Sequence, residues 1–339
     1  MKLSATQSFD TLINQISEIG LKRHAKDLIE HAQTNLSFMK QTVKDVPLPQ
    51  GEKAKSGIII SAGPSVKRQK SIQRILDAGY KGTVIAVDGA FIACLKAGLS
   101  PDYVLTLDPH KTRIVRWFGD HNFEEHTRHD DYFTRQDLDV DFRKNSIEHN
   151  EKNIELVNEK GRLTKAIIST SSPKNVVQRL QEANVNMYWW NPLVDNPVNP
   201  ESVTRQLYNI NSAPCMNTGG NVGTASWVFA DSILKLPKIA LTGMDLGYYH
   251  DTPLNETQTY YELIQHLGTD ENLEEYYPKF ENPSTGEKYY TDPTYFWYRK
   301  NFLELYRRGN SEYYNCTEGG VLFDEYLKCM TLDEFLRMI

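Results

Sequence analysis

Ile58-Ile59-Ile60-Ser61-Ala62-Gly63-Pro64-Ser65, followed by Val66, Ile72, Ile75 and Leu76, decides the fold. A β-branched run ends in a tight Gly-Pro-Ser turn and gives way to apolar residues at helical spacing. That is a strand, a turn and the first turn of a helix, with Ser65 in an N-cap position. Helix N-termini present unpaired N–H groups and partial positive charge, so anions collect there. In open α/β sheets a small-residue turn at the carboxyl end of a buried strand is where nucleotides are held. Neither Gly-x-Gly-x-x-Gly nor the P-loop pattern is present in this chain.

Outward from this stretch the pattern alternates in the βαβ manner. Strands are expected at 57–62, 83–87, 103–107, 165–169, 186–190 and 238–243, and helices at 173–183 and 221–235, with Gly79 and Gly98 closing two earlier helices. Continuous apolar strands indicate a parallel sheet covered on both faces. Upstream, 8–43 reads as one or two amphipathic helices: Leu12, Ile13, Ile16 and Ile19 share a face, and Leu28, Ile29, Ala32 and Leu36 continue it after Gly20. Val46 to Gly51 reads as a linker. Between His110 and Arg162 the periodicity fades into a charged insertion. Past Tyr248 the chain turns polar and Tyr-rich, with helices returning at 294–308 and 323–338.

The expected architecture is a three-layer, Rossmann-like, mainly parallel α/β sheet with a mixed helical cap and an N-terminal helical arm. Its divisions are an arm and linker at 1–51, a nucleotide-binding domain at 52–270 with the 110–163 insertion, and a C-terminal cap at 271–339. The competing arrangement is two sheets split near residue 160. Whether strands 83–87 and 238–243 share one sheet decides between them.

At 339 residues the chain can bury a substantial core, and its net charge of −6 argues against coating nucleic acid. The four cysteines form no Cys-x-x-Cys pair, which reads as reduced thiols rather than a zinc or disulfide framework. No apolar run approaches the ~20 residues of a membrane span. Met1 to Thr6 lead into no signal-peptide segment, so a cytoplasmic protein is expected.

Asp88, Asp108 and Asp245 each follow an expected strand. In a parallel sheet all three emerge at the edge that carries the Gly-Pro-Ser turn. Carboxylates there can accept ribose hydroxyls, hold a divalent cation or act as a base, and Asp also favours such places as an ordinary turn residue. A second cluster, Asn217-Thr218-Gly219-Gly220-Asn221-Val222-Gly223, opens a helix and could cradle a phosphate, or could serve only as a tight turn. Asn315 to Gly320, with Thr317, Glu318 and Gly319, reads as a further substrate-side turn or an ordinary hairpin turn.

Five of the nine histidines fall between His110 and His149. His121, His126 and His129, among Glu124, Glu125, Asp130 and Asp131, match no established metal spacing, and a solvated charged face is the better reading. His250, five residues past Asp245, puts an imidazole on a loop expected at the active edge, so it stands as a candidate base. Tyr249 and Asp108 come next, with Tyr248 on the substrate side. Trp189 and Trp190 could stack a base or sit in the core. Lys111, Arg113 and Arg116 could meet phosphates or be surface charge.

With these residues in place, the chain resembles the motility accessory factor family of flagellin-glycosyltransferase-like proteins. The same domain occurs in the MptE-like 6-hydroxymethyl-7,8-dihydropterin pyrophosphokinases. The resemblance rests on Ser61-Ala62-Gly63-Pro64-Ser65, Ala86-Val87-Asp88-Gly89-Ala90, Lys96 to Tyr103 with Asp108-Pro109, Thr218 to Val222, Gly243-Met244-Asp245-Leu246, Gly286 to Thr291 and Thr317 to Gly320, spanning about 57–325. A more distant likeness is to bacterial sialyltransferases that use CMP-sugars, in which a late histidine acts as base; this chain has no histidine after His266.

The resemblance implies a nucleotide-dependent transferase, foremost a glycosyltransferase with a CMP-activated nonulosonic acid donor. Gly63, Pro64, Ser65, Asp88, Gly89, Thr218, Gly219, Gly220, Asn221 and Asp245 would face the nucleotide. The alternative is a pyrophosphokinase using ATP, with Mg²⁺ on Asp88, Asp108 or Asp245. A third reading is a non-catalytic nucleotide-binding or scaffold protein. The acceptor (glycan, protein or pterin) is left open, and the N-terminal helices are compatible with a homodimer. Two substitutions express these expectations: Gly63→Val should abolish nucleotide binding in a folded protein, and His250→Ala should cut turnover at constant donor affinity.

Overall fold

The computed structural model describes residues 5–128 and 140–339. His129, Asp130 and Asp131 lie outside the described residues. The main sheet has nine strands: β1 Gly57–Ile60, β2 Thr83–Val87, β3 Tyr103–Thr106, β4 Lys165–Ser169, β5 Asn186–Leu193, β6 Cys215–Asn217, β7 Lys238–Thr242, β11 Glu312–Asn315 and β12 Lys328–Cys329. Their spatial order is β12-β11-β7-β1-β2-β3-β4-β5-β6, and every neighbouring pair runs parallel. Strands β2 and β7 both pair with β1, so a single sheet forms and the two-sheet arrangement falls.

Alternation along the strands sorts the core into two faces. Ile59, Ile85, Leu105, Ile167 and Leu241 pack on one side. On the other, Ile58, Ile60, Val84, Ala86 and Ala240 form one cluster, and Val104, Ala166 and Ile168 another. Burial on both faces explains why these strands read as unbroken apolar runs. Trp189 and Trp190 point to opposite faces and are fully buried, which makes them core residues and not a stacking platform.

The chain runs outward from β1 through β6, then returns to β7 on the other flank of β1. The β1/β7 boundary is therefore the topological switch point, where the loops diverge and leave a crevice at the carboxyl edge. A small antiparallel sheet, in the order β8 (Tyr248–Tyr249), β10 (Lys288–Tyr290) and β9 (Lys279–Glu281), stands above this edge with helices Tyr260–Leu267 and Pro293–Tyr306.

Two expectations need correction. The N-terminal segment is the single-helix alternative, running through Gly20 without a break, but it covers Ala5–Asn35 and ends short of residue 43. It stops where the Asn35 amide turns inward to donate to the Thr170 and Ser172 carbonyls at 2.9 and 2.7 Å, leaving Leu36 exposed. Between this helix and β1, Val43 and Val46 reach the core, while Pro47, Leu48, Gln50 and Gly51 of the expected linker stay exposed. The expected helix at 323–338 is helical only over Leu332–Met338. Ahead of it, Arg299 draws out the Val321 and Phe323 carbonyls and β12 joins the sheet, so β11 and β12 extend the sheet beyond the cap expected of this tail. Thr331 and Glu334 form the capping box that starts the short helix.

Candidate functional site

Along the carboxyl edge lies a cavity of about 1100 Å³. Its floor is made by the turns after β1, β2, β3, β6 and β7, and its walls by the small-sheet region and helix Pro293–Tyr306. The N-terminal helix closes one side through Ile16, Ser17, Gly20, Arg23 and His24. Asp88, Asp108 and Asp245 all line this cavity, so the three post-strand aspartates are brought together.

Their environments differ. Asp88 is the first residue of helix Asp88–Ala97 and accepts the Gly89 N–H at 2.7 Å. Burial, reinforced by the charge of Asp108, pushes its carboxyl up to about 7 against Arg116 and Arg113. Burial pushes Asp108 upward too, but the Arg113 charge at 3.1 Å and the His110 N–H at 2.8 Å outweigh it and hold this carboxyl below its usual range. Asp245 is raised by burial to about 6, although it accepts the Ser65 hydroxyl at 2.7 Å and the Ser65 N–H at 3.3 Å. Adjacent carboxyls pushed apart in this way are the usual basis of divided acid and base roles.

The Gly-Pro-Ser turn is built differently from the sequence expectation. Pro64 is the N-cap, Ser65 is the first helical residue, and the helix is a four-residue turn, Ser65–Arg68. Ser65 is fully buried against Asp245 and faces no cavity. Gly63 donates to the Gly243 carbonyl at 2.8 Å, and a Cβ there would strike the Asp245 carboxylate and come within 2.5 Å of that carbonyl. Gly63→Val is consequently a fold-breaking change and not the clean binding probe the sequence suggested. Asn221, in contrast, is an N-cap as expected: its side chain accepts the Thr224 N–H at 2.9 Å at the start of Val222–Val228, which continues as a π-turn over Phe229–Ile233.

Gly63, Pro64, Gly89, Thr218, Gly219, Gly220 and Tyr248 also line the cavity, as do Arg113 and Arg116, whereas Lys111 does not. Tyr249, His250, Thr317, Glu318 and Gly319 lie outside the lining. His250 is exposed at the end of β8. Tyr249 is buried under the Arg68 guanidinium, 3.4 Å from the ring centroid. Glu318 is held by Arg74 at 2.7 Å and accepts the Leu332 N–H at 3.0 Å, a structural clamp on the C-terminal helix. His121 and His126 bond separately to Glu182 and Asp120.

Several lining residues escaped the sequence reading. Ser61 Oγ is buried at the end of β1 without a hydrogen-bond partner and borders the cavity beside Gly223. Its place at the head of the Ser61-Ala62-Gly63-Pro64-Ser65 motif was the available signal. Tyr295 stacks on Tyr248 with ring centroids 5.3 Å apart, and the Tyr248 hydroxyl donates to the buried Asp292 at 2.8 Å. Trp297 and Tyr298 press on Gly220, whose φ of +90° admits no side chain there.

Comparison with known proteins agrees with the resemblance read from the motifs. Residues 27–126 match the family model described as 6-hydroxymethylpterin diphosphokinase MptE-like. Among solved structures, the Maf glycosyltransferase of Magnetospirillum magneticum AMB-1 superposes with a TM-score of 0.54 at 13% identity, over 90% of this chain. That likeness is one of fold, and the chain spans 38% of that protein's length. No curated protein matches in sequence. Among the described residues, no helix is long and apolar enough to cross a membrane.

Proposed function

We propose that the chain is a nucleotide-dependent transferase, with the donor lying across the β1/β7 switch point and a CMP-activated nonulosonic acid as the leading donor. The observation that carries this reading is the Ser61 hydroxyl. A buried, unpartnered hydroxyl beside an open cavity costs free energy that a ligand oxygen would recover. The Thr218–Asn221 loop and Arg116 border the same space and suit a phosphate. Asp108, held ionised by Arg113, would accept a hydroxyl of the donor or acceptor. Asp88, near neutrality, could donate or accept there.

The family match favours a second reading, diphosphate transfer from ATP. The carboxylates do not suit Mg²⁺ as they stand. Asp245 is engaged by Ser65, Asp108 by Arg113 and His110, and burial drives Asp88 toward its neutral form. No step is assigned to a cation. A non-catalytic nucleotide-binding role remains the third reading.

Thermal-shift titration with CMP, UDP, GDP and ATP, with and without Mg²⁺, separates these readings, because a ligand of the native state raises Tm by mass action. Metal-independent stabilisation by CMP is expected, with roughly tenfold weaker binding in Ser61→Ala. An ATP response that requires Mg²⁺ would move the assignment to diphosphate transfer. Indifference to every nucleotide would overturn nucleotide dependence itself.

A further inference from the structure

The N-terminal helix lies outside the nine-stranded sheet, yet it is anchored to the loop that carries Asp108. His31 Nε2 bonds the Pro109 carbonyl at 3.0 Å, one residue beyond that aspartate. His24 sits seven residues earlier, two turns along the same face. The His31 contact therefore fixes the register that brings His24 to the cavity beside Asp108 and Arg113. Among the described residues its ring has no hydrogen-bond partner, unlike that of His31. Four residues earlier on the same face is Gly20, which lines the same cavity and where a Cβ would find nothing within 4 Å.

We propose that His24 is the proton-accepting group of the transfer reaction, with Asp108 stabilising the imidazolium that forms. The proposal rests on the transferase reading above. The acceptor hydroxyl gives its proton to a ring nitrogen of His24 as its oxygen bonds to the reacting carbon of a nucleotide-activated sugar. The bond from that carbon to the phosphate oxygen breaks, and its electron pair leaves with the nucleotide phosphate. The imidazolium then returns its proton to solvent. Asp108 stays ionised throughout and acts on the ring through its charge.

The charged groups around His24 set its titration. Asp108 and Arg113 act from the β3 loop, and Arg23 and Asp27 from its own helix. Glu262, 4.0 Å from Arg23, and His266 border the same cavity from helix Tyr260–Leu267. Burial is the largest influence and lowers the imidazole below 6.5, with Asp108 opposing it, so the ring is neutral and able to accept a proton at pH 7.

Two measurements on the full chain test this. Imidazole titration by NMR, without ligand, should place the His24 midpoint below 6.5, and Asp108→Asn should lower it further. CMP release from a CMP-activated sialic acid should fall by about 10²–10⁴ in His24→Gln, with loss of the acid limb of the pH profile and CMP affinity within threefold. A His24 midpoint unmoved by Asp108→Asn overturns the proposal, whichever nucleotide binds. Unchanged turnover or an unchanged acid limb in His24→Gln does so as well. If the wild type neither binds nor releases CMP, the donor assignment fails instead, and the NMR result still decides the His24–Asp108 pairing.

Discussion

Ser65 Oγ donates to the Asp245 carboxylate at 2.7 Å, tying the turns after β1 and β7 across 180 residues of chain. The bond is buried, so its loss leaves a buried carboxylate without its shortest hydrogen bond, the Ser65 N–H at 3.3 Å remaining. Ser65→Ala should lower the unfolding free energy by about 1–3 kcal/mol in urea titrations. A loss below ~0.5 kcal/mol would show that the two turns hold together without it.

The turn glycine Gly63 gives a sharper result. A methyl group there collides with the Asp245 carboxylate, and the neighbour on the other side is the Gly243 backbone, which cannot swing away. Gly63→Ala should cost about 3 kcal/mol or fail to fold. Native-like stability in that variant would mean that the β1 and β7 turns separate readily.

The carboxyl of Asp88 is raised to about 7 and that of Asp245 to about 6, both chiefly by burial. An unfolded aspartate titrates near ~3.9, so between that pH and the folded value the native state holds more protons. These groups therefore make stability fall as pH rises from about 4 to about 7. Asp88→Asn should flatten that fall and stabilise the protein at pH 8 by roughly 1–3 kcal/mol. Parallel pH–stability curves for variant and wild type would refute the assignment.

Glu318 has φ of +54° and serves Arg74 and the Leu332 N–H. Its replacement by Ala should cost about 1–2 kcal/mol while leaving nucleotide affinity within twofold. A large affinity loss at unchanged stability would restore Glu318 to the substrate side.

At Gly20, mid-helix and open on its Cβ side, Ala should raise stability by roughly 0.5–1 kcal/mol. A destabilised Gly20→Ala would show that the helix kinks or packs there in solution.

The sheet was legible because β1 to β4 and β7 are buried on both faces and leave uninterrupted apolar runs. The post-strand aspartates followed from topology alone, since every parallel strand delivers its next residue to the same edge. What escaped were contacts made across long sequence separations. Nothing local distinguishes His24, which lines the cavity, from His31, bonded to a carbonyl 78 residues away. Likewise, Glu318 resembled a substrate-side turn residue until its partners Arg74 and Leu332 came into view. The tail was misread because Val321 to Leu327 carry helical-looking apolar spacing, while Arg299 and the β11 edge take their backbone groups instead.

The N-terminal helix has one further consequence, in the order of events during synthesis. Its apolar patches rest on Val203 and Leu207 at one end and on Leu263, Leu273 and Tyr290 at the other. During synthesis the Leu12 patch of this helix thus stays uncovered until Leu263, Leu273 and Tyr290 have emerged, well after Pro109 and Val203 become available to its other end. A lone helix with such late partners gains little stability by itself. The crevice is walled only after strands β1 to β7 have been made, and the ribosome-bound chain should stay cleavable near Gly20 until Tyr290 has left the exit tunnel.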